Sequence, residues 1–226
     1  EQNAELTESD DDLKVEIRRA GVKIGDKVYL IEQDTFVFIR KTIDALVLDG
    51  SKILFYDCIY NLDAFGMEDH YITSADQLKA IMKQCRQNIF ENLAEIHFAK
   101  NFVSLLGEQM EKDAVTVEIQ RIWGDGQTRH INELAEQLPA IPEEYVRRYL
   151  SGSTAFVWIS DSTYFSMQQF IITEDERDAI LSFVADECDK KGYASISDVP
   201  FGNIAEENYE LTTVGLQEAV YNAVLL

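Results

Sequence analysis

Four arginines and a tyrosine are the side chains best suited to contact a ligand. Arg147 and Arg148 stand together in EEYVRRYL, with Tyr145 just before them, and Arg121 and Arg129 lie shortly upstream. Guanidinium groups fork onto phosphate oxygens and guanine edges, so a helix carrying Arg147 and Arg148 could reach bases, with Tyr145 or Gln137 beside them. Arg121 and Arg129 would touch phosphates. Side chains for bond-breaking chemistry are sparse. His70, His97 and His130 have no second His or Cys at metal-ligand spacing, which argues against zinc. Glu68-Asp69-His70 lacks a partner motif and reads as a polar loop. Glu111, Asp113 and Glu118 lack the spacing of a calcium loop. There is no phosphate-cradling glycine loop and no Gly-x-Ser-x-Gly elbow. The expectation is a non-enzymatic chain without metal or cofactor.

The elements that must carry the arginines run from His130 to Phe170. Two short helices are predicted, separated by a turn at Pro139-Ala140-Ile141. Two aromatic-rich strands follow, joined by Ser160-Asp161-Ser162-Thr163. Pro142 suits the first position of the second helix, and Glu143 and Glu144 suit its positive end. Val115–Trp123 supplies a first helix, stopped by Gly124-Asp125-Gly126. Trp158, Tyr164 and Phe165 read chiefly as the attachment of the strands to the helices, with a stacking or partner surface as the alternative.

Leu134-Ala135-Glu136-Gln137-Leu138, followed by Tyr145-Val146-Arg147-Arg148-Tyr149-Leu150, resembles the helix-turn-helix of many bacterial regulators. With the two strands, the stretch resembles the winged-helix superfamily over residues 115–172. The resemblance implies that Val146 and Leu150 fill the gap between the helices, and that the second helix enters a major groove. The chain departs from that pattern at the turn, where Pro139 replaces a glycine of positive φ. Glu143 and Glu144 would face phosphate, and no Lys or Arg occurs between Ala155 and Phe170.

Charge bears on the choice of partner. The chain of 226 residues carries 41 acidic and 20 basic residues, net −21. Residues 1–113 hold 22 acids and 13 bases, residues 114–173 hold 7 and 4, and residues 174–226 hold 12 and 3. The central stretch is therefore the least acidic, at −3 between two flanks of −9. Apolar residues make up 46% and prolines number three, so the chain can bury a core. No apolar run approaches the roughly 20 residues that cross a bilayer. Cys58, Cys85 and Cys188 are odd in number and lie in apolar surroundings, as expected of reduced core thiols. A soluble, cytoplasmic protein is expected. It opens at Glu1 rather than methionine, as a processed or excised piece of a longer parent would.

The expected fold class is α+β, mainly helical. Residues 1–13 form an acidic leader, 14–77 an N-terminal α/β unit and 78–113 a helical connector. Residues 114–173 form the central winged-helix domain and 174–226 a C-terminal helical unit. A turn of helix is expected over Lys14–Arg19. In the N-terminal unit Asp49-Gly50 is a hairpin signal, yet Phe36, Ile39, Ile43, Leu46 and Val47 also share a helical face. A strand is expected at Lys52–Tyr56. Ser74 to Gln77 and Thr173 to Glu176 read as capping boxes. The second opens a helix with Ile180, Phe183, Val184 and Cys188 on its buried face. An echo between residues 53–81 and 156–180 leaves the N-terminal unit open to reading as a diverged second winged helix, about 100 residues upstream.

Two functions follow. The first is a DNA-contacting module of a bacterial or phage-related regulatory or genome-maintenance protein. The second is an acidic protein-interaction module that docks a basic partner and does not bind DNA.

Overall fold

The computed structural model describes residues 21–90, 95–124 and 128–226; the acidic leader and Lys14–Arg19 lie outside them, as do Asp125 and Gly126. The fold is α+β, helices joined to small antiparallel sheets. It divides into two compact units between Gln109 and Met110.

The first unit opens with an antiparallel hairpin, β1 (Gly21–Ile24) and β2 (Lys27–Leu30). Helix α1 (Gln33–Leu48) buries Phe36, Ile39, Ile43 and Leu46, so helical periodicity prevails in the ambiguous segment. Asp49-Gly50 is its stop rather than a hairpin turn. Gly50 takes φ +87° and donates its N–H to the Val47 carbonyl at 2.9 Å, a left-handed exit that glycine makes without steric cost. Strand β3 (Ile53–Phe55) follows, then α2 (Tyr56–Leu62), α3 (Ala64–Asp69), α4 (Ala75–Gln84) and α5 (Arg86–Ile89). Ser74 caps α4 by accepting the Gln77 N–H, but the Gln77 side chain returns to Thr73 rather than to Ser74.

Residues 78–113 are not a helical connector. After α5 come two short strands, β4 (His97–Phe98) and β5 (Phe102–Ser104), in a sheet of order β3-β5-β4. The cause is β3, all of whose residues are buried. Its backbone needs hydrogen-bond partners out of reach of water, and β5 supplies them.

The second unit begins with α6 (Glu111–Trp123), then β6 (Thr128–His130), α7 (Ile131–Glu136), α8 (Glu143–Gly152), β7 (Phe156–Ser160) and β8 (Thr163–Ser166). The expected helix pair and strands are present, with Pro142 as the N-cap of α8 rather than its first residue. Asp161 and Ser162 both have positive φ, 40° and 62°, turning β7 tightly into β8. The sheet order is β6-β8-β7.

Both units therefore run helix, strand, helices, strand, strand, with the last strand central. The likeness extends to the backbone: Tyr56 donates its N–H to Asn101 at 3.1 Å, and Ile131 donates to Ser162 at 3.0 Å. In each case the residue opening the helix after the first strand is bonded to the turn before the last strand. The register of the expected echo is wrong, however. Ile53–Phe55 corresponds to Thr128–His130, not to Phe156–Ser160, because both pair with the central strand on the same side.

Residues 174–226 form α9 (Glu174–Lys191), α10 (Asn203–Glu207) and α11 (Thr213–Val220), closed by a π-helical turn at Tyr221–Leu225. Thr173 and Glu176 make a complete capping box. Of the expected face of α9 only Ile180 is buried; Phe183 and Val184 are half-buried and Cys188 is exposed. Cys58 and Cys85 are intermediate, so none of the three is a fully buried core thiol. The boundary expected after residue 173 is no break in packing, since Ala219 of α11 shares a core with Val157, Ile159 and Phe165. The apolar face of β7 and β8 needs that cover. Asn208 ties in the preceding loop: its amide donates to the Ile171 and Ile204 carbonyls, both at 2.8 Å, and accepts the Ile171 N–H at 2.9 Å.

Candidate interaction surface

Helix α8 has the face expected of it. Val146 and Leu150, four residues apart, are buried, and Glu143, Glu144, Arg147 and Arg148 are exposed. One of the exposed arginines is paired with a carboxylate and the other lies on an aromatic ring. Arg147 Nε donates to Glu143 Oε1 at 2.8 Å, and Nη2 bonds the same oxygen. Arg148 lies over the Tyr145 ring, 5.0 Å from its centroid. Glu136, Glu143 and Arg147 line the shallow cleft between α7 and α8, so two carboxylates sit beside the guanidinium there.

The other two arginines are structural anchors. Arg121 donates through Nε and Nη2 to Glu118 at 3.0 and 2.8 Å, and Glu118 is only 1% exposed. Arg129 Nε donates to the Trp123 carbonyl at 3.0 Å, tying β6 to the end of α6. Arg147, Arg148 and Tyr145 are thus together on α8, while Arg121 and Arg129 are held at α6.

Glu111, His130 and His70 are also used internally. Tyr149 donates to Glu111 at 2.7 Å. The His130 side chain caps α7 by accepting the Asn132 N–H at 3.2 Å. His70 bonds Thr35 at 3.2 Å and packs on Phe38 with centroids 4.7 Å apart. Burial, and then the bond to Glu111, push the Tyr149 hydroxyl up to about 12. The folded chain favours the neutral phenol. This contribution is intact below pH about 10, where an unfolded tyrosine titrates, and is lost as pH rises from there to about 12. Tyr149→Phe is expected to flatten that part of the stability–pH curve in urea titrations at a series of pH values. An unchanged alkaline decline would show that Tyr149 is not its source.

On the strands, Tyr164 and Phe165 are core, but Trp158 is 52% exposed. It is paired across the strands with Tyr164, whose hydroxyl lies 2.9 Å from Ser151 Oγ. Trp158 and Tyr164 help line a groove of about 360 Å³ that runs between the end of α8, β7 and α11. Gly215, buried on α11, lets that helix approach β7 closely, because a Cβ there would lie 2.7 Å from the Ile159 side chain. Val214 and Glu218 of α11 and Asn222 of the π-helical turn, spaced by four, line the groove. That spacing is visible in the chain, but its meeting with Trp158 depends on the close approach at Gly215.

No family model, curated protein or solved structure matches this chain. Among the described residues no helix is long and apolar enough to cross a membrane.

Proposed function

We propose that the chain is a non-enzymatic module of two winged helices that docks a protein partner rather than DNA. The shared connectivity, with the last strand central in each sheet, supports the winged-helix assignment. One observation carries the choice of partner: the guanidinium of Arg147, at the centre of the exposed face of α8, is held by Glu143 on the same helix. An exposed pair of this kind is worth only about 0.3–0.5 kcal/mol, so a phosphate could displace it in a positive field. The field is negative. Residues 110–226 carry 21 acids against 8 bases, net −13, and with a screening length of about 8 Å the nearest charges dominate. Those are Glu136, Glu143 and Glu144, against the single cation Arg148.

Labelled duplex DNA is therefore expected to show no saturable binding even at low salt. Binding whose log-log salt slope reaches several units would establish phosphate neutralisation and overturn the reading. The DNA reading retains one supporting observation: Arg147 and Arg148 are adjacent and exposed on α8. If it holds, Arg147→Ala and Arg148→Ala should each lower the slope by about one.

A further inference from the structure

We propose that the groove between β7 and α11 receives a cationic side chain, arginine or lysine, from a basic segment of the partner protein. The proposal rests on the protein-docking reading and names the chemistry of the contact. Three features point to a cation. Trp158 offers a half-exposed indole, and the face of an indole is the aromatic surface that attracts guanidinium and ammonium groups most strongly. Glu218 is the one ionised side chain among the described residues that line the groove, and none of them is Lys, Arg or His. The C-terminal end of α8 also opens into it, at Leu150 to Thr154. The last carbonyls of a helix carry partial negative charge, and α8 has no basic residue in its last turn.

The hydroxyls of Ser151 and Tyr164 and the amide of Asn222 give the wall further polar groups. An acidic or uncharged apolar segment would gain the indole but would meet Glu218 and the helix end unfavourably. A cationic side chain lays its methylene stem on Val214 and sets its charge between the Trp158 ring and Glu218. The surrounding charge acts in the same sense, because residues 174–226 hold 12 acids and 3 bases.

The test uses the full chain labelled with nitrogen-15. It contains two tryptophans, and Trp158→Phe identifies which indole N–H signal belongs to the groove. Two blocked peptides are titrated at millimolar concentration, Gly-Arg-Gly and the same peptide with citrulline, the neutral isostere of arginine. The expected result is a saturable shift of the Trp158 signal with the arginine peptide and little with citrulline. Glu218→Gln should weaken the arginine peptide about three- to fivefold, and Glu207→Gln, away from the groove, should leave it unchanged. Equal shifts with both peptides, equal weakening by both substitutions, or no saturable shift would overturn the proposal. Duplex DNA added to the same sample separates the two readings. DNA-induced shifts around Arg147 would overturn the protein-docking reading, whereas a flat Trp158 response without DNA binding would refute the groove alone.

Discussion

Trp123→Ala should destabilise the second unit by about 3–5 kcal/mol, the range for removing a buried tryptophan from a core. Trp123 is the last residue of α6 and is 1% exposed. Its ring stacks on Phe156 of β7 with centroids 5.1 Å apart and planes 27° from parallel. Its carbonyl accepts the bond from Arg129, so helix, strand and sheet edge meet at one residue. Alanine keeps the carbonyl but removes the ring on which Phe156 stacks and leaves a void beside it. Urea denaturation followed by circular dichroism measures the change, and a lowered midpoint with an unchanged slope is expected. Since whole domains are stable by only about 5–15 kcal/mol, the variant should lie near the edge of folding. A loss below about 1 kcal/mol would mean that the stack does not hold α6 to β7.

Arg121→Met should cost about 2 kcal/mol, and the effect should appear in stability rather than in any nucleic-acid affinity. The side chain makes two charge-assisted hydrogen bonds to Glu118. Hydrogen bonds to charged groups contribute about 1.5–3 kcal/mol, and here Glu118 is buried although Arg121 is about a third exposed. Methionine retains most of the apolar stem, so the measured loss reports the guanidinium. Glu118→Gln combined with it completes a double-mutant cycle, in which a coupling energy above about 1 kcal/mol is expected. Additive effects, with Arg121→Met destabilising by less than about 0.5 kcal/mol, would return Arg121 to the role of a surface cation.

These two residues show why part of the molecule could be read from its letters and part could not. The helix pair around Pro142 was legible because Val146 and Leu150 sit four apart, proline suits a helix start, and the acids gather at the positive end. The capping box at Thr173 was legible for a similar reason: three residues of local chemistry decide it. Strands β4 and β5 left no such mark, since elements of two and three residues have no period to detect. Their existence follows from the buried β3 backbone, a long-range requirement. Gly50 misled because one positive φ serves a hairpin and a helix exit alike.

The candidate site divides in the same way. The spacings Glu118 to Arg121 and Glu143 to Arg147 are those of intrahelical ion pairs, so the neutralisation of these arginines was within reach of the sequence. The anchoring of Arg129 on the Trp123 carbonyl was not, because a backbone acceptor has no letter. The exposure of Trp158 depends on where α11 lies, which no local spacing states.

The bond from the opening residue of the second helix to the strand turn, made by Tyr56 in one unit and Ile131 in the other, has a bearing on how such joints tolerate change. Donor and acceptor are both main-chain groups, so no particular side chain is needed to make it. Phe55-Tyr56 and His130-Ile131 share no residue, nor do Asn101 and Ser162, yet the two joints close alike. A contact written in the peptide backbone leaves the alphabet above it free, and two segments can then be mechanically equivalent while remaining illegible as copies.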